Sequence, residues 1–251
     1  MVASLADTYL PGHLRYEIAC AEANGLPEPP KSVEPGVPRD TTEGQWTVVN
    51  RYDTESGPVN VKRQCMHCLQ PACASACPVA AFFKTEEGPV TYRPERCIGC
   101  RYCMVACPFQ VPAYEYHNPL TPEVRKCTFC FNTIKDGGLP ACAQVCPREV
   151  ITFGKKSELL NLARWKMKNH PGKYVDHIYG EHEVGGTSWL YLASEPFETI
   201  GFPKLGTKAP PRLTEAIQHG LFQYFAAPII LYGALGGIMW VTGYLKGTKE
   251  V

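Results

Sequence analysis

Three cysteine groups constrain this chain more than any hydropathy pattern. Cys65, Cys68, Cys73 and Cys77 form the first, Cys97, Cys100, Cys103 and Cys107 the second, and Cys127, Cys130, Cys142 and Cys146 the third; each ends in Cys-Pro. The middle group, CIGCRYCMVACP, has the C-x2-C-x2-C-x3-C-P spacing that wraps a cubane iron-sulfur cluster. Three thiols at i, i+3 and i+6 turn a short loop around one face of such a core. The fourth, followed by proline, is carried away by the turn. A chain so built is expected to carry electrons.

In two-cluster ferredoxins that fourth cysteine ligates the other cluster. Paired this way, the first two groups give one 4Fe-4S cluster on Cys65, Cys68, Cys73 and Cys107 and a second on Cys97, Cys100, Cys103 and Cys77. Zinc and disulfides are the bland alternatives. Structural zinc takes two separated C-x2-C pairs, which suits Cys127 and Cys130 but not the run from Cys97 to Cys103. Disulfide frameworks belong mainly to small secreted domains, and a chain of 251 residues with 13 cysteines fits that class poorly.

Cys20 stands outside the three groups. Stepping back from it by their spacing lands on Tyr16, His13 and Leu10, so the N-terminus reads as the relic of a fourth motif that has kept only its last ligand. If the relic pairs with the third group, Cys20 completes a cluster with Cys127, Cys130 and Cys142, and Cys146 is left unligated beside a lost site. That arrangement predicts three 4Fe-4S clusters. In the competing arrangement Cys146 closes the third cluster and Cys20 is a buried thiol that packs like a small apolar side chain. His13, on either arrangement, reads as an ordinary histidine.

The stretches QCMHCLQPACASACPVAAF, RCIGCRYCMVACPFQVPAYEY and RKCTFCFNTIKDGGLPACAQVCPREVITFG resemble the four-cluster ferredoxin-type iron-sulfur subunits of membrane-bound respiratory oxidoreductases. These include subunits of periplasmic hydrogenases, formate dehydrogenases and dimethyl sulfoxide reductase. The resemblance runs from about Cys20 to the C-terminus. It implies an electron-transfer subunit without a catalytic site of its own. Electrons would pass from the Cys20 group to the Cys65 group and then to the Cys97 group, which in the family lies nearest the membrane. The departure at the first motif removes the cluster that in the family receives electrons from the catalytic subunit. Among relatives, this points to the iron-sulfur subunits of menaquinone reductase complexes of sulfate-reducing bacteria. The implied partners are then a molybdopterin-oxidoreductase-like subunit, a polytopic quinone-binding membrane subunit and a multihaem cytochrome c, with a hydrogenase or formate dehydrogenase setting as the alternative. A metal-stapled scaffold without redox activity is the alternative of another class.

The expected fold is α+β: two interlocked bacterial-ferredoxin-like lobes with long loops and a C-terminal transmembrane helix. An outer lobe of residues 1–59 and 119–155 would hold the degenerate motif, and residues 60–118 would be inserted into it. A helix and partner-contacting extension over 156–200 and a linker over 201–218 would follow. AAFFKTEEGPVTYRPE reads as a hairpin around a Glu-Gly-Pro turn, and the Cys-x3-Cys-Pro ends read as short helices that stop near proline. SELLNLARWKMK has helical spacing, the Pro-rich stretch 27–44 reads as a solvated loop or a strap along a partner, and Trp189, Tyr191 and Phe197 read as core or subunit contacts. Arg63, Arg101, Arg125, Lys126 and Arg148 flank the ligands and are candidates to offset cluster charge.

With 45% hydrophobic residues, 20% charged residues and net charge +1, the chain has the composition of a folded body. It lacks the basic footprint of a nucleic-acid binder. LFQYFAAPIILYGALGGIMWVTGY carries no charge and meets the length of a spanning helix, so a single anchor over 219–245 is expected, in the bacterial inner membrane. Tyr224, Trp240 and Tyr244 would sit at its interfaces, and Gly233 and Gly237 would offer a packing face. The N-terminus has no basic n-region or apolar h-region. A periplasmic position of the cluster domain, which the resemblance favours, would therefore need export with a signal-bearing partner.

Overall fold

The computed structural model describes residues 1–8, 14–31, 36–118, 123–147, 150–211 and 226–247, with side chains described from 229 to 242 in the last stretch. The chain divides into two units, Met1–Pro211 and Arg212–Val251.

In the first unit the N-terminal part runs β1 (Val2–Asp7), α1 (Leu14–Asn24), β2 (Thr47–Thr54) and β3 (Gly57–Gln64). The cysteine region follows as α2 (Ala72–Ser75), β4 (Phe82–Lys84), β5 (Val90–Tyr92), α3 (Tyr102–Ala106), β6 (Ala113–Tyr114), β7 (Val124–Arg125), α4 (Phe131–Lys135) and α5 (Ala141–Gln144). β8 (Ile151–Lys155), α6 (Lys156–Asn169) and β9 (Trp189–Leu192) complete it.

The organising sheet is β8-β1-β9, with β1 antiparallel to β8 and parallel to β9. Side chains alternate across a strand, and here the two faces meet different neighbours. Ala3 and Leu5 of β1 and Leu190 and Leu192 of β9 pack with Leu159 and Ala163 of α6 in one core cluster. Ala6, Trp189 and Tyr191 point the other way, into a core that also contains Cys65, Cys127, Cys142 and Cys146. The sheet thus separates a covering helix from the cysteine-bearing body. Trp189, Tyr191 and Phe197 are all buried in that body.

The smaller elements set the cysteine loops. β4 and β5 form the hairpin expected around the Glu-Gly-Pro turn. α2, α3 and α5 are single turns ahead of the Cys-Pro dipeptides, short because the residue before proline disfavours the helical region. α1 contacts both β2 and α5, which carries Cys20 towards the third group. The Pro-rich stretch is tied to its own body. The Arg39 backbone N–H donates to Asn50 Oδ1 at 2.9 Å, the Asn50 amide returns a bond to the Arg39 carbonyl at 2.9 Å, and Thr41 Oγ1 donates to the Val111 carbonyl at 2.9 Å.

The fold expectation needs correction at the C-terminus. The second unit contains α7 (Ala226–Gly247), with Ile229, Ile230, Leu231, Tyr232, Ile238 and Met239 exposed. Among the described residues, no helix is long and apolar enough to cross a membrane. The described residues form a mixed α/β protein in which the expected transmembrane helix over 219–245 is not supported, and the inner-membrane anchorage inferred from that helix falls with it. Leu221, Tyr224 and most of the expected linker's second half lie outside the described residues, as do the side chains of Pro228, Tyr244 and Lys246.

Candidate cluster-binding site

Each cysteine loop begins with the same backbone device. Two residues after the first cysteine of each group, at His67, Gly99 and Phe129, φ is positive: 48°, 68° and 59°. The left-handed turn points the N–H of that residue back at the cysteine. His67 donates to Cys65 Sγ at 3.5 Å, Gly99 to Cys97 Sγ at 3.4 Å and Phe129 to Cys127 Sγ at 3.3 Å. Two non-glycine residues in this sparsely populated region mark backbone strain held by its surroundings. The loops are shaped to aim donors at sulfur, and a sulfur that carries charge gains most from them.

The thiols meet in three places. Cys65, Cys68, Cys73 and Cys107 line one cavity, together with Lys126. Cys77, Cys97, Cys100 and Cys103 line a second. Cys20, Cys127, Cys130 and Cys142 line a third, which Trp46, Phe129 and Trp189 help to close. The first two groups therefore exchange their last cysteines, and the third draws on α1. Among the described residues no three His, Cys, Asp or Glu side chains converge to hold a single metal ion. The four thiols of a set surround a space, as a polynuclear group requires and a zinc ion does not.

Cys146 is absent from the lining of the third cavity. Its Sγ lies 3.3 Å from the hydroxyl of Tyr16 and accepts the Ile151 N–H at 3.4 Å. Tyr16 is fully buried and stands where the relic motif would have had its third cysteine. The phenol ring takes space beside Cys146 that a ligand loop would need. Leu10 and His13 lie outside the described residues.

Burial dominates the electrostatics of the thiols. It pushes Cys20 up to about 11, and Cys73 and Cys103 up to about 12. Such groups stay protonated at neutral pH until a cation draws the proton off, as metal binding does. Among the flanking cations, Arg63 pairs with Asp40 at 2.7 Å and Arg125 with Glu123 at 3.2 Å. Arg101 is exposed, over the rings of Tyr114 and Tyr116. Arg148 lies outside the described residues. Of the four described, Lys126 alone is buried.

Two residues near the cavities escaped sequence reasoning. Lys62 of β3 is fully buried, with Nζ donating to Gln64 Oε1 at 2.9 Å and lying 4.3 Å from the centre of the Trp189 ring. Period-2 alternation in VNVKRQ would have flagged its inward face. His67, inside the first cysteine group, is buried and stacks on Phe129 with ring centroids 4.8 Å apart. The Val90 N–H donates to His67 Nδ1 at 2.9 Å, which leaves the proton on Nε2. Burial, then the positive charge of Lys126, Lys84 and Lys62, holds this imidazole well below the usual histidine range, so it is neutral.

The fit to a cubane group is good on chemical grounds. Each cavity is lined by four thiols, and each lining includes a first-position thiol that accepts a backbone N–H. Fold and site define a ferredoxin-type protein in which cysteine loops take the place of much of an ordinary apolar core. Comparison with known proteins makes the family specific. The 4Fe-4S dicluster domain family matches residues 59–156. The chain is 44% identical over 239 residues to a protein of Nitratidesulfovibrio vulgaris, covering 92% of this chain and 60% of that one. It is 38% identical over 215 residues to the hydrogenase-2 operon protein HybA of Shigella flexneri, covering 75% of this chain and 65% of HybA. It is 31% identical over 260 residues to the formate dehydrogenase-O iron-sulfur subunit of Escherichia coli, covering 94% and 84%. The chain belongs to the family of 4Fe-4S dicluster, ferredoxin-type iron-sulfur subunits. It spans less than two thirds of the length of the first two of these relatives.

Proposed function

We propose that this chain is a non-catalytic electron-transfer subunit that holds three 4Fe-4S clusters in a hydrogenase- or formate dehydrogenase-type complex. The ligands are Cys65, Cys68, Cys73 and Cys107 for one, Cys77, Cys97, Cys100 and Cys103 for the second, and Cys20, Cys127, Cys130 and Cys142 for the third. The observation that carries the reading is the exchange of cysteines between groups around three separate cavities. A four-thiolate cubane, when bound, takes up and returns one electron without making or breaking bonds. The chain's own contribution is to fix the positions of the thiols, exclude water from them and set the charge around them. Cys146 stays unligated in this reading, because its neighbours are Tyr16 and the Ile151 amide rather than the third cavity. A hydrogenase or formate dehydrogenase setting agrees with the names of the relatives. A menaquinone reductase setting with a cytochrome donor draws no support from those names.

The test is iron and acid-labile sulfide per chain, with EPR of the reduced protein, in the wild type and in Cys20→Ala and Cys146→Ala. The expected result is about twelve irons, with one cluster perturbed by Cys20→Ala and none by Cys146→Ala. Perturbation by Cys146→Ala alone would mean that the third group closes on itself. About sixteen irons would mean that the relic site is filled.

A further inference from the structure

Lys126 is buried, yet none of the ion pairs among the described residues includes it. An ammonium taken out of water without a counter-charge costs several kcal/mol, so a buried lysine is normally paired. The surroundings nonetheless suit the charged form. Nζ donates to the Val90 carbonyl at 2.6 Å and to the Cys127 carbonyl at 3.1 Å. Two of the three donors on the ammonium thus meet backbone acceptors. The ring of Phe82 lies 5.5 Å away, offering its face rather than a competing donor. The side chain also lines the cavity of Cys65, Cys68, Cys73 and Cys107, while its own backbone neighbour, Cys127, lines the third cavity.

We propose that Lys126 is the buried counter-cation of the Cys65, Cys68, Cys73 and Cys107 cluster, set between that group and the Cys127 group to hold its reduction potential above that of the same four thiolates alone. The proposal rests on the cluster assignment above and adds to it the residue that sets the redox poise of one site. Reduction adds one negative charge to the group inside the cavity. A fixed positive charge in the wall of the cavity, screened by protein rather than water, stabilises the reduced form more than the oxidised one. Among the other described cations, Arg101 is exposed and Arg63 and Arg125 are paired with Asp40 and Glu123, while Lys62 and Lys84 bond Gln64 and the His67 carbonyl and are absent from the lining of this cavity, so their effect on it is weaker. Lys126 is a positioning residue for charge and exchanges no electron itself.

The experiment is an anaerobic redox titration followed by EPR on the full chain with clusters in place, comparing wild type, Lys126→Met and Lys126→Arg. Lys126→Met removes the charge and keeps most of the stem. It is expected to weaken reduction of one cluster at least tenfold, a negative shift of 59 mV or more for a one-electron couple. Lys126→Arg is expected to move that midpoint by less than half as much. Full iron content in Lys126→Met with every midpoint unmoved overturns the proposal, as does an equal shift in both variants. Should Lys126→Met fail to hold its iron, Lys126→Gln, which keeps a donor for the carbonyls, is titrated in its place, and unmoved midpoints there overturn the proposal equally. A wild-type chain that binds no iron sinks the cluster assignment itself. A fully loaded wild type with indifferent variants sinks only the role of Lys126.

Discussion

Glu17 is buried one turn ahead of Cys20 on α1, where it accepts from the Arg39 guanidinium and from the Val49 N–H at 2.8 Å. Arg39 in turn bonds the Val49 carbonyl at 3.2 Å. One ion pair therefore pins the helix that delivers Cys20 to the strand β2 beneath it. Removing one partner of a buried pair leaves the other without compensation, at a cost of about 3–5 kcal/mol; Arg39 is partly exposed, so the lower end applies. Arg39→Met is expected to lower stability by about 3 kcal/mol, read as a fall in the urea midpoint. It should also make the Cys20 cluster the first to lose iron to a chelator. Unchanged iron release would show that Cys20 is held by its cluster and not by α1.

At the scale of elements, the local parts of the architecture were legible and the distant pairings were not. The cysteine loops could be read because their instructions lie within a few residues: spacing, proline and a left-handed turn. The hairpin of β4 and β5 and the helix α6 announce themselves by turn chemistry and periodicity in the same way. β1 does not. VASLAD is six residues whose partners lie at 151–155 and 189–192, and nothing within the segment points to them. Lys62 and the Arg39 to Glu17 pair were invisible for a related reason: burial of a charge is a property of what lies across the fold. For the C-terminal apolar run hydropathy suggests a span, whereas among the described residues no helix is long and apolar enough to cross a membrane.

Gly180 makes a test at this scale. It has φ +94°, and a Cβ there would collide with the Trp189 carbonyl oxygen and the Thr187 hydroxyl. It lies beside the bridge that joins Tyr179 to Tyr191, so it lets the loop approach β9 closely. Gly180→Ala is expected to cost about 2 kcal/mol or more through strain and displaced backbone, seen as a lower thermal midpoint. The Trp189 ring should move with β9, and a change in its fluorescence would report it. An unaltered midpoint would mean that the approach is not needed.

For the whole first unit, stability is divided between two kinds of core. α6 and one face of the β8-β1-β9 sheet bury aliphatic side chains alone. The other face and the β4-β5 region bury thiols among apolar residues, where much of the filling would come from bound clusters. Stripping the clusters should therefore unfold the molecule unevenly. Hydrogen exchange after oxidative cluster removal is expected to retain protection in Val2–Asp7, Ile151–Lys155 and Lys156–Asn169 while residues 65–146 lose it. Uniform loss of protection would mean that the sheet depends on the cysteine body for its own stability.

On the proposed assignment, the exchange of ligands between groups also imposes an order on biosynthesis. The Cys77 site is complete once residue 103 has been made and the Cys65 site once residue 107 has. Cys20, which precedes every other ligand in the chain, waits until Cys142 emerges. Joining Cys20 to Cys127 closes a loop of roughly 100 residues, which in the unfolded chain would cost about 4.7 kcal/mol of closure entropy by the measure used for cross-links. Cys20 thus waits longest for its partners, and a nascent chain interrupted between residues 107 and 127 would carry two finished sites and Cys20 unclaimed.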